Sequence, residues 1–329
     1  MINNLVKVIS ALKINLTLIL LATGFLYSFN KISSEKNDIL LSDPTILEEK
    51  GRYYLYGTRS GGFDKTNDGF LVYESKNLKH WIEKGYALKK GDAYGNKGFW
   101  SPQVFKKEGL FVMVYTANEK IAIAFSKSPL GPFKNSTKTH YLSDFKEIDP
   151  FIFFDNGKFY LYRVRRVDKG NQIYVSELNE NLSIDKKSSP SRCLIKEQSW
   201  EDSDNIGLGG NQGPSVIKIG GEYYMFYSAN NFRSRKYAVG YARGPTPIGP
   251  WLKSENNPLI DFSKINQNGP GHGDIFYDQQ EKCYKYVLHT HFSKNRLRPR
   301  KTGILSLVHL VKSNEIVIKP ETFKFLKSQ

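Results

Sequence analysis

Asp43-Pro44-Thr45-Ile46-Leu47, followed by Gly51 and then by Tyr53-Tyr54-Leu55-Tyr56, is the stretch that decides the fold, because it recurs along the chain. Four later stretches repeat its start: Ser101-Pro102-Gln103-Val104-Phe105, Asp149-Pro150-Phe151-Ile152-Phe153, Gly213-Pro214-Ser215-Val216-Ile217 and, more loosely, His272-Gly273-Asp274-Ile275-Phe276. In the four copies that contain the proline, a glycine follows it by seven residues. A short apolar stretch, a polar turn and a second stretch rich in Tyr, Phe and Val predict a β-hairpin. Five such copies predict a repeat architecture.

A second apolar pattern follows each hairpin and predicts outer strands. It occupies residues 70–73, 121–124, 173–175, 237–241 and 303–307. Roughly four strands per unit, repeated five times, are typical of the blades of a β-propeller. A pair of β-sandwiches would also supply many short strands, but it would not explain the fivefold recurrence. We therefore predict an all-β, five-bladed β-propeller with four-stranded antiparallel blades, in a single domain over residues 38–329.

The N-terminal residues 1–37 differ from the rest in composition. Lys7 and Lys13 precede an uncharged, mostly apolar run over residues 14–29. This run is shorter than the about 20 residues that a membrane span needs, and its basic front is typical of a signal peptide. An uncleaved membrane anchor is the alternative. Either way we predict an exported protein that is periplasmic, extracellular or membrane-anchored.

Charge and cysteine content exclude some classes of protein. The chain has 48 basic and 32 acidic residues, a formal net charge of +16, and its basic residues are mostly scattered lysines. Without a basic stripe or a known binding module, nucleic acid is not an expected partner. Attraction to an acidic polysaccharide is an alternative to a merely solvated lysine surface. Two cysteines cannot form a disulfide framework.

The residues that begin the repeats are candidates for a common site, because the innermost strands of a propeller start near one mouth of the central channel. These residues are Asp43, Ser101, Asp149, Gly213 and the His272-Gly273 pair. A single Asp-Pro most simply begins a strand. Two of them at the same phase of the repeat instead predict paired carboxylates across a small cavity, the arrangement that glycoside hydrolysis requires.

With these motifs the chain resembles glycoside hydrolase family 43. The resemblance rests on Leu41-Ser42-Asp43-Pro44, Phe99-Trp100-Ser101-Pro102, Ile148-Asp149-Pro150, Asn211-Gln212-Gly213-Pro214-Ser215, Tyr237-Ala238-Val239-Gly240-Tyr241-Ala242 and Gly269-Pro270-Gly271-His272-Gly273. It implies an inverting hydrolase of arabinofuranosyl, xylosyl or related linkages in a polysaccharide or oligosaccharide. Asp43 would be the general base. Asp149 would be the second aspartate, which orients the sugar and raises the pKa of the acid.

The general acid of the family is a glutamate directly before Gly-Pro in the fourth blade, and here that residue is Gln212. A carboxamide has no acidic proton for the leaving alkoxide, and losing general acid catalysis costs about 10²- to 10⁴-fold. Three interpretations stay open: an engineered acid knockout, a carbohydrate-binding propeller with impaired or no hydrolysis, or a proton supplied by another group. Candidates for that group are Glu201, Asp202, Asp204, His272, His289 and His291.

Further substrate-binding candidates are Trp100 and Ser101 in the second blade, and His272, Arg298 and Arg300 in the last. A tryptophan can stack on a sugar ring, and an arginine can bind a sugar hydroxyl or a carboxylate such as that of Asp149. The resemblance implies that His272 lies beneath the sugar and borders a bound cation, commonly calcium, or a water cluster. No cofactor is expected to be required, although a calcium ion at the propeller centre is an alternative to plain packing by the histidines.

Overall fold

Each predicted hairpin forms the two inner strands of an antiparallel sheet. The computed structural model describes residues 37–59, 68–141, 145–167, 170–184, 189–205 and 209–329. The first blade, with a two-residue strand at its outer edge, contains β1 (Asn37–Asp38), β2 (Leu41–Glu49), β3 (Arg52–Arg59), β4 (Gly69–Ser75) and β5 (Trp81–Lys89). The second contains β6 (Trp100–Lys107), β7 (Leu110–Ala117) and β8 (Lys120–Ser126). The third contains β9 (Glu147–Asp155), β10 (Lys158–Val167), β11 (Gly170–Leu178) and β12 (Ser191–Leu194).

The remaining two blades follow the same order. The fourth contains β13 (Gln212–Ile219), β14 (Glu222–Ala229), β15 (Ala238–Gly244) and β16 (Leu252–Lys253). The fifth contains β17 (Gly271–Asp278), β18 (Cys283–Thr290), β19 (Lys301–Leu310) and β20 (Glu315–Phe325), and β21 (Lys327–Ser328) returns to the first blade. The predicted five-bladed β-propeller is confirmed. In the second blade, the outer edge beyond β8 is formed by isolated bridges, Ala122 with His140 and Phe125 with Lys134.

The inner hairpins turn tightly at one end, which we call the turn end. Four of them use two-residue turns in which both residues have positive φ: Lys50-Gly51, Glu108-Gly109, Asn156-Gly157 and Gly220-Gly221. Turns of this kind match the right-handed twist of paired strands, and glycine adopts them without a steric cost. The hairpin of the fifth blade has a four-residue turn at 279–282 instead. This longer turn explains why the fifth copy of the repeat is the loosest.

The first and last blades are joined by the ends of the domain. Thr302 of β19 bonds to Leu41 of β2 in both directions, with its Oγ1 accepting from the Leu41 N–H at 3.2 Å and donating to the Leu41 carbonyl at 3.0 Å. Strand β1 pairs with β21, and both lie at the outer edge of the first blade. Residues Asn37–Ser328 form one compact unit. Because both ends of this unit meet at the same blade, the ring of sheets is closed.

Helix is scarce in the part of the chain that the structure describes. One α-helix, α1 (Phe262–Ile265), begins at Asp261, whose side chain accepts hydrogen bonds from the N–H groups of Ser263 and Lys264. A single 3₁₀ turn covers Ser199–Asp202. Across these described ranges, no helix is long and apolar enough to cross a membrane. The predicted signal peptide or anchor lies outside the described residues.

Candidate active site

The end of the hairpins opposite the turns, which we call the bulge end, carries a β-bulge in every blade. In each inner hairpin the strand register shifts beside the residue that begins the repeat. These five bulge residues all have left-handed backbone: Asp43 (φ 49°), Ser101 (47°), Asp149 (55°), Gly213 (60°) and His272 (38°). A bulge re-aims its side chain and is common next to active sites. Four of the five bulges therefore direct a side chain toward one mouth of the channel, and the fifth, at Gly213, presents its backbone there.

Asp43 lies at the centre of a polar cluster. The Thr58 hydroxyl donates to its Oδ2 at 2.6 Å, and Nδ1 of His272 lies 3.3 Å from its Oδ1. The Arg300 Nη1 is 3.6 Å from the same oxygen. The Asp43 side chain keeps 12% of its surface exposed. The carboxylate is thus held by three neighbours and remains open to solvent on one side.

Asp149 lies near the same nitrogen of His272. Its Oδ2 is 3.9 Å from His272 Nδ1, so both predicted carboxylates lie within 4 Å of one atom. The Ser101 hydroxyl donates to Oδ1 at 2.9 Å, and the Gly213 N–H donates to Oδ2 at 3.3 Å. Burial raises the pKa of Asp149, opposed by the charge of His272, and the charge of Asp43 raises it further. Two carboxylates with different surroundings can take different roles.

Hydrogen bonds between neighbouring blades fix the bulges. The N–H of Ser101 donates to Thr58 at 2.9 Å, that of Asp149 to Thr116 at 3.0 Å, and that of His272 to Ser228 at 2.7 Å. Thr58, Thr116 and Ser228 each stand fifteen residues after the bulge residue of their own blade. In the third blade this position is Val164, which has no hydroxyl, and the Gly213 N–H binds Asp149 instead.

In the fifth blade the ring of bonds is completed by His289, which is fully buried. The Asp43 N–H donates to Nδ1 of His289 at 3.1 Å, and Arg300 Nη1 lies 2.9 Å from Nε2 of the same ring. Burial and the Arg300 charge lower its pKa well below the usual range, so the ring is neutral. Tyr237 stacks on it at a centroid distance of 5.9 Å. His289 is therefore part of the support for Asp43.

Four of the five bulge residues and their chain neighbours line a cleft of about 280 Å³ that opens to solvent. Of the predicted site residues, Asp43, Ser101, Asp149 and His272 line it. The other predicted residues, Trp100, Gln212, Arg298 and Arg300, are outside this lining. Trp100 packs against the hydrophobic core of the third and fourth blades. Arg300 contacts Asp43 and so adjoins the cleft. Burial lowers the pKa of Arg298, and the charge of the nearby Asp43 opposes this effect.

The cleft is also lined by a carboxylate, that of Asp274, which the sequence did not predict as a site residue. Asp274 accepts hydrogen bonds from the hydroxyls of Thr45, at 2.6 Å, and Ser215, at 2.5 Å. Burial raises its pKa to about 6. Thr45, Ser215 and Asp274 each stand two residues after a bulge residue. These positions are equivalent in the repeat, so a comparison of all five copies two residues after the bulge would have pointed to Asp274.

Gln212 begins β13, directly before the bulge residue Gly213. Its side chain is mostly buried, and the Asn171 Nδ2 donates to its Oε1 at 3.1 Å. A side-chain carbon added at Gly213 would lie 2.6 Å from the His272 ring. Gln212, at the position of the predicted acid, is therefore the chain neighbour of Gly213, whose N–H donates to Asp149 and whose backbone lies against the His272 ring.

The three acidic residues proposed as alternative proton donors have ion-pair or hydrogen-bond partners outside the cleft. Glu201 is fully buried and lies 2.6 Å from Lys253, and Asp202 lies 2.7 Å from Lys196. A hydrogen bond from Ser234, together with Lys236, lowers the pKa of Asp204. Burial lowers the pKa of His291, as it does that of His289. Of the alternatives to Gln212, His272 is the one that lines the cleft, and there it adjoins the predicted base.

The described residues offer few protein ligands for a calcium ion. They contain no group of three or more His, Cys, Asp or Glu placed to hold a metal. Calcium takes six to eight oxygen ligands, whereas His272 presents a ring nitrogen and Asp274 is already bonded to two hydroxyls. A calcium ion at His272 or at the propeller centre stays a prediction.

Comparison with known proteins finds glycoside hydrolases, both among sequences and among solved structures. The sequence model of the glycosyl hydrolases family 43 matches residues 38–308. A non-reducing end α-L-arabinofuranosidase of Bacteroides ovatus is 24% identical over 242 residues, which cover 70% of this chain and 41% of that protein. An extracellular endo-α-(1→5)-L-arabinanase of Bacillus subtilis is 23% identical over 335 residues, covering 80% of this chain and 68% of that protein. The chain thus spans about two fifths of the first relative's length.

Two solved structures are more similar in sequence. An endo-1,4-β-xylanase from Bacteroides thetaiotaomicron superposes with a TM-score of 0.80 at 36% identity, covering 90% of this chain and 99% of that one. A thermostable family-43 glycoside hydrolase superposes with a TM-score of 0.77 at 35% identity, covering 88% of this chain and 95% of that one.

Proposed function

The chain belongs to glycosyl hydrolases family 43, and on that premise we propose that it acts on arabinofuranosyl, xylosyl or related linkages in an oligosaccharide or polysaccharide. The observation that carries this proposal is the convergence of Asp43 and Asp149 on His272 at the mouth of one cleft. Paired carboxylates at a solvent-accessible cavity are what glycoside hydrolysis needs.

In the proposed inverting mechanism Asp43 is the general base. Its partly exposed carboxylate takes a proton from a water molecule, whose oxygen attacks the anomeric carbon as the bond to the leaving oxygen breaks. Thr58 and Arg300 orient this carboxylate. Asp149, held by Ser101 and by the Gly213 N–H, binds a sugar hydroxyl and positions the ring.

Gln212 limits what this mechanism can cleave. The leaving oxygen needs a proton unless it departs as a stable anion, and a carboxamide has none to give. Turnover is therefore restricted to substrates with good leaving groups. The same observation favours a second candidate function, a carbohydrate-binding propeller that keeps the cleft but hydrolyses poorly or not at all.

The test compares the wild type with Gln212→Glu on 4-nitrophenyl α-L-arabinofuranoside and β-D-xyloside, and on unactivated arabino- and xylo-oligosaccharides. We expect the wild type to cleave aryl glycosides best, and the variant to gain about 10²- to 10⁴-fold on oligosaccharides. Gln279→Glu, the same change at the exposed turn end, is the matched control and gains nothing.

The outcomes separate the candidates. Equal oligosaccharide rates for the wild type and Gln212→Glu would show that residue 212 is not the acid position. Binding without cleavage by either protein selects the carbohydrate-binding function. Neither binding nor cleavage of any of these sugars overturns the proposal as a whole.

We also propose that the protein is exported. The support is the apolar run over residues 14–29 and the extracellular arabinanase of Bacillus subtilis among the relatives. Mass spectrometry of the protein expressed in its host would detect a cleaved N-terminus. An intact N-terminus in the membrane fraction would instead select the anchor.

A further inference from the structure

Positive charge is concentrated in two loops at the bulge end. One is the loop over residues 230–237, between β14 and β15, and the other is the loop over residues 291–300, between β18 and β19. Together they contain Arg233, Arg235, Lys236, Lys294, Arg296, Arg298 and Arg300, and no acidic residue. They hold five of the chain's twelve arginines, whereas most of the other basic residues are lysines. This region therefore differs from the generally lysine-rich surface.

The two loops meet at Phe232, next to the predicted base. The Phe232 carbonyl lies 3.2 Å from Nε2 of His291, which belongs to the second loop. The Phe232 ring packs against two guanidinium groups, that of Arg300 at 5.0 Å and that of Arg233 at 5.4 Å from the ring centroid. Arg300 in turn lies 3.6 Å from Asp43. A path of direct contacts thus leads from the cleft to Arg233, which is exposed.

These cations repel one another. The pKa of Arg298 is lowered by burial and then by the charges of Arg300 and Arg233. Asp43 pairs with Arg300, and Asp204 pairs with Lys236. Neither carboxylate is an ion-pair partner of Arg233. An anion placed beside Arg233 would relieve this repulsion, and a planar guanidinium stacked on an aromatic ring is well suited to a carboxylate or a sulfate.

We propose that Arg233, stacked on Phe232, binds an anionic substituent of the glycan. The substituent is the carboxylate of a uronosyl residue or a sulfate ester, carried by the sugar next to the one held at Asp43. The substrate or ligand is therefore an acidic glycan rather than a neutral arabinan or xylan. This inference rests on the proposed carbohydrate function.

The test is affinity electrophoresis of the full chain in gels that contain glucuronoarabinoxylan or its carboxyl-reduced form, in which each glucuronosyl residue has become a neutral glucosyl residue at the same position. We expect the native polysaccharide to bind about 5- to 20-fold more tightly, the effect of one charge-assisted hydrogen bond that is weakened by the exposure of Arg233 to solvent. Arg233→Gln should remove most of this ratio and leave binding of the reduced form unchanged. Arg192→Gln removes the same charge from exposed β12 and should keep the ratio. A sulfated derivative of the reduced polymer distinguishes the two anions, because only the preferred one restores the ratio.

Three results would overturn the inference. Equal retention by the native and reduced polysaccharides would leave the proposed function standing and remove the acidic specificity. An equal loss in Arg233→Gln and Arg192→Gln would assign the preference to diffuse charge. Retention by neither polysaccharide would instead contradict the proposed carbohydrate function, on which this inference depends.

Discussion

The two ends of the inner hairpins use the same left-handed backbone for different purposes. At the turn end, each two-residue turn contains a glycine at its second position. At the bulge end, four of the five left-handed residues carry side chains, and Gly213 is the exception. A non-glycine residue in this conformation costs about 1–3 kcal/mol. The turn end avoids this cost at the second position of each turn, where glycine stands, but accepts it at the first position in Lys50, Glu108 and Asn156. The bulge end accepts it in four of the five blades, where the left-handed residue directs a side chain into the cleft.

The strongest test of this comparison replaces an aspartate at each end. Asp43→Asn keeps the shape and tolerates a left-handed backbone, but it removes the base, so kcat/KM should fall about 10²- to 10⁴-fold. Asp155→Asn, at the turn end of β9, breaks contacts with Lys218 and Tyr223 and should leave kcat/KM unchanged. Both are measured on aryl glycosides in the Gln212→Glu background. Unchanged activity in Asp43→Asn would contradict the assignment of the base.

Glycine substitutions at the two ends should differ in their effects on stability and on sugar binding. In Gly213→Ala the added carbon would lie 2.6 Å from the His272 ring, and in Gly157→Ala it meets nothing within 4 Å. Gly157→Ala should cost about 1–2 kcal/mol of unfolding free energy, from backbone strain alone. Gly213→Ala should cost about 2–4 kcal/mol, because displacement of the ring adds to the strain, and should also weaken sugar binding. Urea unfolding and KM measure the two effects. Weakened binding in Gly157→Ala would remove the distinction between the ends.

The sequence predicts the turn end better than the bulge end. The proline-to-glycine spacing predicts the hairpins and their turns, because these are local properties of a few adjacent residues. The convergence of Asp43 and Asp149 also follows from the repeat. By contrast, the bond from the Asp43 N–H to His289 joins residues 246 positions apart and exists only because the ring of blades closes.

Other features of the site could not be predicted from the sequence either, because they too depend on contacts between distant parts of the chain. Arg233 and Arg300 are in different blades, and their shared contact with Phe232 appears only when the two loops meet. Thr58 and Asp274 resemble ordinary strand residues until equivalent positions of all five blades are compared. The resemblance to the family could not show that Gln212 is bonded to Asn171, because that contact depends on how neighbouring blades pack.

A moderate effect is expected where blades bond to each other. Thr58→Val removes the acceptor of the buried Ser101 N–H and the donor to Asp43, which should cost about 1–3 kcal/mol of unfolding free energy. The third blade already has Val164 at this position, and there the Gly213 N–H bonds to Asp149 instead. Val164→Thr is the matched control, and we expect a change below about 1 kcal/mol because its hydroxyl can join the ring. Equal costs for both changes would show that the position does not matter.

The smallest expected effect is a shift in pH dependence. Ser101→Ala removes the hydroxyl that donates to the Asp149 carboxylate at 2.9 Å, a bond that lowers the pKa of this group against the effect of burial. Without it the pKa rises, so Asp149 is protonated at higher pH, and the acidic limb of kcat/KM should move toward neutral pH. Activity then falls more at acidic pH than at neutral pH. Tyr223→Phe removes a comparable hydrogen bond to Asp155 at the turn end and should leave this limb in place. If both variants shift the acidic limb of kcat/KM equally, the two ends of the hairpins are coupled through the strands. The turn end would then also influence the chemistry, and the distinction between the two ends would be wrong.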